Sequence, residues 1–275
     1  MQISTDGTIK WLIKLKDNSE VETVYIPQDD RGTVCLSSQV GCTLNCSFCH
    51  TGTQALVRNL TSGEIIGQLM IVMDHLNDWP SGKNNRKVTN IVMMGMGEPL
   101  LNYDAVLESA KIMKDQHSYG LSRKRITIST SGIVPIINKL SEDIDISLAI
   151  SLHAPDDNLR DEIVPINKKY PLEEVIKSCK YYTSVVKEKV FVEYTLMKGI
   201  NDSAEDAREL VKVMKQFPSK LNLIFMNTWP GCKIKPVSED KTNEFAQIVK
   251  NAGFIVTVRR SGGADQKSLS GCGQL

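Results

Sequence analysis

Three thiols set the chemistry this chain can do: Cys42, Cys46 and Cys49, in Cys42-Thr43-Leu44-Asn45-Cys46-Ser47-Phe48-Cys49. A cubane iron–sulfur cluster holds four irons, and each takes one cysteine thiolate. Three close thiolates therefore leave one iron open, and an open iron can bind and reduce a ligand. The plain alternative is a structural zinc site, which needs four closed tetrahedral ligands. Cys35 or His50 would then supply the fourth. Zinc cysteines usually come as two CxxC halves, whereas this CxxxCxxC triplet has a different rhythm and favours the cluster.

Further residues suit a small polar ligand beside such a cluster. In Gly95-Met96-Gly97-Glu98-Pro99, Glu98 and nearby carbonyls can accept hydrogen bonds from a ligand ammonium, although a lone G-x-G is equally a tight turn. Ser129, the run Ser151-Leu152-His153, and Asn227 before Trp229-Pro230-Gly231 offer hydroxyls, a ring and an amide. Their bland readings are satisfied strand ends and a turn residue. Among the other cysteines, Cys179 and Cys232 read as inert buried thiols. Cys272 is flanked by Gly271 and Gly273, which argues for a mobile, closely approached backbone. With Cys35, seven residues before the triplet, it suggests covalent thiol chemistry.

The elements that must position these groups follow from hydrophobic patterning. At 275 residues and 41% hydrophobic, the chain can build one substantial core. Two alternating strands, 8–16 and 21–26, are joined by a turn at Asp17-Asn18. A strand at 34–38 runs into the cysteine loop. Helical spacing follows over 62–76, with Ser62 as N-cap, then a polar loop over 79–87 and an apolar strand over 88–94. Further strands fall at 125–129, 145–151, 190–196, 221–226 and 254–258, alternating with helices at 104–114, 133–140, 172–186, 204–216 and 242–251. Such alternation implies a parallel sheet with helices outside. Six or so βα units predict an α/β fold built as an open partial (β/α)6-type barrel, with a doubly wound sheet as the other candidate. The expected division is a β-hairpin extension over 1–30 and a catalytic domain over 31–275. In either fold, ligands bind at the C-terminal ends of the strands, where the residues above collect.

A net charge of +1 leaves the bulk balance silent about partners. Arg123-Lys124-Arg125, Lys168-Lys169 and Arg259-Arg260 are local basic clusters. Each alone is a solvated face, but several around one mouth would make a phosphate-binding rim. Apolar runs such as 144–152 are too short to span a bilayer. The polar first residues lack the apolar core of a signal peptide. A cytoplasmic protein with no membrane association is expected. Seven cysteines, an odd and clustered set, point to metal or redox chemistry before structural disulfides.

The cysteine triplet, with Phe48 before its last thiol, resembles the radical S-adenosylmethionine (SAM) superfamily. Its Gly97-Glu98-Pro99 resembles that superfamily's GGEP-type motif, with Met96 in place of the first glycine. Over nearly the whole chain, VETVYIP, SSQVGCTLNCSFCHTG, NIVMMGMGEPLLN, STSGIVP, AISLHAP, RDEIVPINKKY and CGQL resemble the bacterial adenine-C2 radical SAM RNA methyltransferases. The resemblance implies a [4Fe–4S] cluster on Cys42, Cys46 and Cys49, and SAM contacts from Gly97, Glu98, Ser129, Ser151, Leu152, His153 and Asn227. It makes Cys272 the cysteine that is S-methylated, Cys35 the resolving cysteine and Glu22 a general base. Residues alone would read Glu22 as a surface strand position.

The implied substrates are an adenosine of 23S rRNA in the peptidyl-transferase centre and an adenosine beside the anticodon of certain tRNAs. Two SAM are used per turnover, with a reducing, flavodoxin-type electron donor and a monomeric enzyme. C2 of adenine lies between two ring nitrogens and is no nucleophile, so polar methyl transfer fails there. In the family scheme a radical on the Cys272 thiomethyl carbon adds to C2, and attack by Cys35 releases the base. The base must leave its stack to reach such a site.

Two departures qualify this. Family members usually carry an additional N-terminal RNA-binding domain and continue past CGQL. A truncated chain or the product of a fragmentary gene is therefore expected, one that can require a partner chain. The alternatives are a C8-specific relative with the same cysteine set, and an impaired fragment acting only as an Fe–S or RNA-binding protein.

Overall fold

The computed structural model describes residues 1–79, 86–259, 271 and 273–275. The chain opens with an antiparallel meander: β1 (Gln2–Ile3), β2 (Ile9–Lys14), β3 (Glu20–Gln28) and β4 (Arg31–Cys35). The β2–β3 turn holds Asn18 at φ 68°, a left-handed conformation that Asn tolerates better than most residues. From β4 onward the pairing becomes parallel, through β7 (Asn90–Met93), β8 (Ile126–Thr130), β9 (Ser147–Ser151), β10 (Val190–Leu196), β11 (Ser219–Phe225) and β12 (Val256–Arg259). Among the described residues ten strands form one sheet and β12 pairs with β11 alone, so the parallel part is open there. The small pair β5 (Gln39–Val40) and β6 (Arg58–Asn59) brackets the cysteine loop.

Helices α1 (Ser62–His75), α2 (Tyr103–Lys114), α3 (Val134–Asp143), α4 (Asp157–Ile163), α5 (Leu172–Val186), α6 (Ala204–Met214) and α7 (Glu239–Asn251) cover the sheet. In α5, buried Leu172, Val175, Ile176, Cys179, Tyr182, Thr183 and Val186 recur at helical spacing. That face packs on the sheet and on α3, and each fully buried aliphatic contributes about 1.5–3 kcal/mol. The Tyr182 hydroxyl donates to the Ile146 carbonyl at 2.7 Å, so its burial leaves no orphan group. The helix ends at Lys187, left-handed at φ 59°.

Two expectations need correction. The cap of α1 is Thr61, not Ser62: its hydroxyl accepts from the Glu64 N–H, and Glu64 reaches back to the Thr61 N–H at 2.9 Å. No helix was expected between 151 and 172, yet α4 lies there. At seven residues it is too short to show a period, and it is capped by Asp156 accepting from the Leu159 N–H. Part of the expected loop over 79–87 lies outside the described residues.

The helices lie on one face of the parallel sheet, because its strands run in chain order and right-handed crossovers place each connecting helix on the same side. Val190, Val192, Tyr194 and Leu196 of β10 are all buried. The alternate residues Phe191, Glu193 and Thr195 point to the other face, and Glu193 is a buried acid there.

Candidate active site

One cavity at the C-terminal ends of the parallel strands gathers most of the chemistry-bearing residues. Cys42, Cys46 and Cys49 line it with Gly97, Glu98, Ser129, Ser151 and His153. Its volume is about 110 Å³. A larger hollow of about 800 Å³ lies at the opposite ends of the strands, among Lys111, Lys114, Arg123, Glu142 and Asp145. That hollow is mixed in charge and contains no thiol, so it lacks the reactive groups of the cysteine cavity.

The cysteine loop is held by its backbone. The Cys49 N–H donates to Cys46 O at 3.1 Å, the Cys42 N–H to Gln54 O at 3.2 Å, and the Ser47 N–H to Ile163 O at 3.1 Å. Asn45 turns the chain at φ 52°. Burial pushes all three thiols up, Cys42 to about 11. As thiolates in an apolar wall they need a cation, and a metal centre deprotonates a coordinating thiol outright. Among the described residues no three Cys, His, Asp or Glu side chains converge on one ion. All three thiols line the same cavity, and a cubane takes a separate ligand at each corner. The donor set thus fits an iron–sulfur cluster on Cys42, Cys46 and Cys49.

The Gly95–Pro99 turn forms the facing wall. Gly97 sits at φ 96°, and a Cβ there would lie 2.5 Å from the Gln39 Cβ, so only glycine fits. The Glu98 carboxylate is buried and engaged inward, accepting from the Leu100 N–H at 3.0 Å and the Ser131 N–H at 2.8 Å. Burial raises its pKa, against the lowering effect of these bonds. Glu98 therefore ties the end of β7 to the end of β8.

His153 is also left-handed, at φ 59°. Its Nδ1 accepts from the Thr195 N–H at 3.0 Å, which places the ring proton on Nε2. Burial, aided by the nearby Arg160 charge, lowers its pKa to about 3, so the ring is neutral. Phe48 meets the ring edge-on at 4.5 Å, which fixes the cysteine loop to the end of β9. Asn201 holds the same corner, donating to His153 O at 2.7 Å and Thr195 O at 2.8 Å.

Two residues absent from the sequence-based set belong to this site. Glu193 lines the cavity, accepting from Ser129 Oγ at 2.9 Å and Asn222 Nδ2 at 3.2 Å. Its carbonyl also takes the Leu152 and His153 N–H groups. An acid inside an apolar strand was the available signal. Arg160 on α4 is fully buried and donates to Ser131 O at 2.6 Å, Asn167 Oδ1 at 2.7 Å, Leu152 O at 3.1 Å and Ser151 O at 3.2 Å. Burial draws its pKa down to about 10, which leaves it charged near neutrality. It clamps the ends of β8 and β9 together.

The remaining expected residues are more dispersed. Leu152 is buried but does not line the cavity, and buried Asn227 lies against Gly271, where a Cβ would come within 2.6 Å of its side chain. Cys35, at the end of β4, is buried outside the cavity wall, and burial pushes its thiol up to about 12. Glu22 on β3 pairs with Lys10 at 2.8 Å. Its N–H meets Met96 Sδ at 3.3 Å, and its carbonyl takes the Ser37 hydroxyl at 2.6 Å, linking it to the Gly95–Pro99 turn. Cys272 lies outside the described residues.

Its described neighbours 273–275 hydrogen-bond to the cysteine loop and to the loop after β11. The Gly273 carbonyl accepts from the His50 N–H at 2.8 Å, and Gly273 lines the cavity. Gln274 donates to Thr228 O at 2.7 Å, and the Thr51 hydroxyl donates to Leu275 O. The tail is thus pinned to the cysteine loop. The basic run Arg123-Lys124-Arg125 does not border this mouth. It precedes β8, at the far end of the strands, and pairs with Asp145, Glu188 and Asn90.

Fold and cavity together define a radical SAM enzyme, and residues 36–211 match the Radical SAM superfamily. In the superfamily this implies a [4Fe–4S] cluster and SAM. The chain is 52% identical to the dual-specificity RNA methyltransferase RlmN of Rhodopseudomonas palustris (strain BisA53), covering 100% of this chain and 71% of that protein. It is 53% identical to the enzyme of the same description from Nitrobacter winogradskyi, with the same coverage. The crystal structure of a radical SAM methyltransferase from Sphaerobacter thermophilus superposes with a TM-score of 0.92 at 41% identity, over 98% of this chain and 78% of that one. The chain belongs to the RlmN family of dual-specificity RNA methyltransferases. Among the described residues no helix is long and apolar enough to cross a membrane.

Proposed function

We propose that this chain methylates C2 of adenosine in 23S rRNA and in tRNA, using two SAM per turnover. The observation that carries the reading is the cavity that joins the three cluster thiols, the strand-end SAM residues and Gly273 of the CGQL tail. The names of the relatives support the RNA substrates, because both are dual-specificity RNA methyltransferases.

Cys42, Cys46 and Cys49 hold the cluster, and the backbone bonds of their loop fix its orientation. When bound, the cluster supplies the electron that cleaves SAM to a 5′-deoxyadenosyl radical. Gly97, Glu98, Ser129, Ser151, Leu152, His153 and Asn227 bind SAM. The neutral His153 ring offers an Nε2 donor without adding charge beside the sulfonium. Cys272 takes a methyl group and presents it as a thioether to be activated for addition to C2. Glu22, paired with Lys10, takes the C2 proton. Cys35 stays a neutral thiol until it attacks the Cys272 sulfur, forming a disulfide as the methylated base leaves. Residues 31–275 form the catalytic domain and 1–30 a hairpin extension of its sheet. The enzyme works as a cytoplasmic monomer with a flavodoxin-type electron donor.

The test is the mass of the peptide containing Cys272 after expression with SAM. An added methyl group is expected. An unmodified thiol in cluster-replete protein refutes the thioether route.

A further inference from the structure

Three loops that pack against the cysteine loop share one construction. Beneath the cysteine loop lies a second small apolar cluster of Phe48, Ala154, Ile163, Val164, Met197 and Met226, with Cys46, Cys49, Ile166 and Ile234 packed against it. Exposed lysines flank the residues that anchor each loop into this cluster. Ile166 is followed by Lys168 and Lys169, Met197 by Lys198, and Ile234 is bracketed by Lys233 and Lys235. The alternation Lys233-Ile234-Lys235 turns the apolar side chain inward and leaves the cations in solvent. The Lys198 N–H donates to Lys235 O at 3.0 Å, and Met197 bridges to Pro236, so the loops after β10 and β11 are bound edge to edge. None of the five lysines enters an ion pair among the described residues. Asp202, a carboxylate close in sequence to Lys198, is taken by Lys241 at 2.8 Å and is buried.

Elsewhere on the molecule some exposed lysines hold carboxylates, such as Lys124, Lys177 and Lys212, and others such as Lys111 and Lys215 enter no ion pair among the described residues, so it is placement beside the cysteine loop that sets the five apart. Cations kept unpaired, on loops anchored to the apolar cluster that also supports the cysteine loop, are placed to meet an anion approaching the cavity. A polyanion fits this arrangement better than a single anion, because the lysines are spread over three loops and converge on no one point. Trp229 lies in the same arc. Its Nε1–H is tied to Phe48 O at 3.2 Å and its ring lies 5.2 Å from that of His50, giving a fixed aromatic beside the cations.

We propose that Lys168, Lys169, Lys198, Lys233 and Lys235 form a phosphate collar that grips the single-stranded RNA flanking the target adenosine. Phosphate contacts position a strand without reading its sequence. This suits an enzyme with two different RNA substrates, and the inference rests on the RNA reading of the preceding section. The collar keeps the backbone at the rim while the base turns into the cavity. Arg123, Lys124 and Arg125 have no part in it.

The test measures binding of two RNA hairpins, each carrying one target adenosine, to the cluster-replete protein across a salt series. Loss of three single-strand phosphate contacts lowers the log–log salt slope by about 2 and the affinity about tenfold at moderate salt. That result is expected for the triple variant K198Q/K233Q/K235Q, with its cluster content and melting temperature unchanged. K198R/K233R/K235R keeps the slope, and the outer-face control K177Q/K215Q/K250Q matches the wild type. A wild-type slope in the Gln triple overturns the collar while leaving RNA methylation standing. An Arg triple as weak as the Gln triple also overturns it, because charge would then not be the operative property. Wild-type protein that neither binds nor methylates either RNA would remove the functional reading itself, and the collar with it.

Discussion

Arg160 offers a sharp test of how the site is held together. Replacing it with Met removes a buried guanidinium that donates to three carbonyls, on Ser131, Ser151 and Leu152, and to the Asn167 amide oxygen. Met fills much of the same volume but leaves those acceptors without their donor. Leaving a buried acceptor without its donor costs about 1–3 kcal/mol, so even the low end over four acceptors is about 4 kcal/mol. Unfolding entropy near 2.1 cal/mol/K per residue gives roughly 0.6 kcal/mol/K over this chain. A loss of about 4 kcal/mol therefore lowers the melting temperature by about 7 °C. Arg160→Lys keeps the charge but not the planar fork, so one ammonium cannot reach acceptors on two strands and a helix, and about half the loss is expected. SAM affinity should fall about tenfold, an effect of about 1.4 kcal/mol, because the clamped strand ends carry Ser129, Ser151 and His153. The assays are thermal melts followed by circular dichroism and equilibrium dialysis of SAM, on anaerobically reconstituted protein. Arg208, exposed and paired with Glu205, is the control, and its Met variant should melt within about 1 °C of wild type. If Arg160→Met also melts within about 1 °C and binds SAM normally, the clamp has been misassigned.

The other expectations are narrower. Each of C42S, C46S and C49S should abolish the visible absorbance of the reconstituted cluster and leave far-ultraviolet dichroism near wild type; retention of a full four-iron cluster in any one would argue against that residue as a ligand. Gly97→Ala places a Cβ at φ 96° and 2.5 Å from Gln39, so a loss of about 1–3 kcal/mol and weaker SAM binding are expected. Unchanged urea midpoints and SAM affinity would contradict this. His153 has a folded pKa near 3 against an ordinary 6.5, so the unfolded chain binds the proton first as pH falls. The stability that neutral His153 supports is present above pH 6.5 and is lost as pH falls from there toward 3, about 2 kcal/mol of it by pH 5. Urea melts at pH 7.5 and 5 should show that slope reduced in His153→Asn, which tolerates the left-handed backbone; equal slopes would count against the buried neutral ring. Under the proposed scheme Cys35→Ala cannot release its product, so a covalent protein–RNA adduct should appear on denaturing gels, and free methylated RNA without adduct would remove Cys35 from the resolving role.

Much of this protein can be read from its sequence because the information is local. The cluster loop is legible because its three thiols lie within eight residues, and coordination chemistry restricts what that spacing can do. The strands at β7 to β11 are legible as short apolar-rich runs alternating with helical patterns, because each strand of a βα unit packs one face on the helices. The placement of Gly97, Ser129 and Ser151 at one end follows from strand direction alone. Local signals fail where an element is short or a role is distant: α4 shows no period in seven residues, and Ser62 was a plausible cap until the Thr61–Glu64 pair was seen. The roles of Glu193 and Arg160 are tertiary facts. Glu193 reaches Ser129 and Asn222 only because β10 lies between β9 and β11, with Ser129 on the strand beyond β9. Arg160 becomes a clamp only when α4 folds back over the ends of β8 and β9. The same distinction separates the basic clusters. In sequence Arg123-Lys124-Arg125 and Lys168-Lys169 look alike, but the sheet sends the first to the far end of the strands, where carboxylates pair with it, and leaves the second next to Ile166, which packs with the cysteine loop. Sequence determines which groups exist and which local loops they form. The tertiary structure decides which of them share a cavity, because register and strand order alone set the distance between residues remote along the chain.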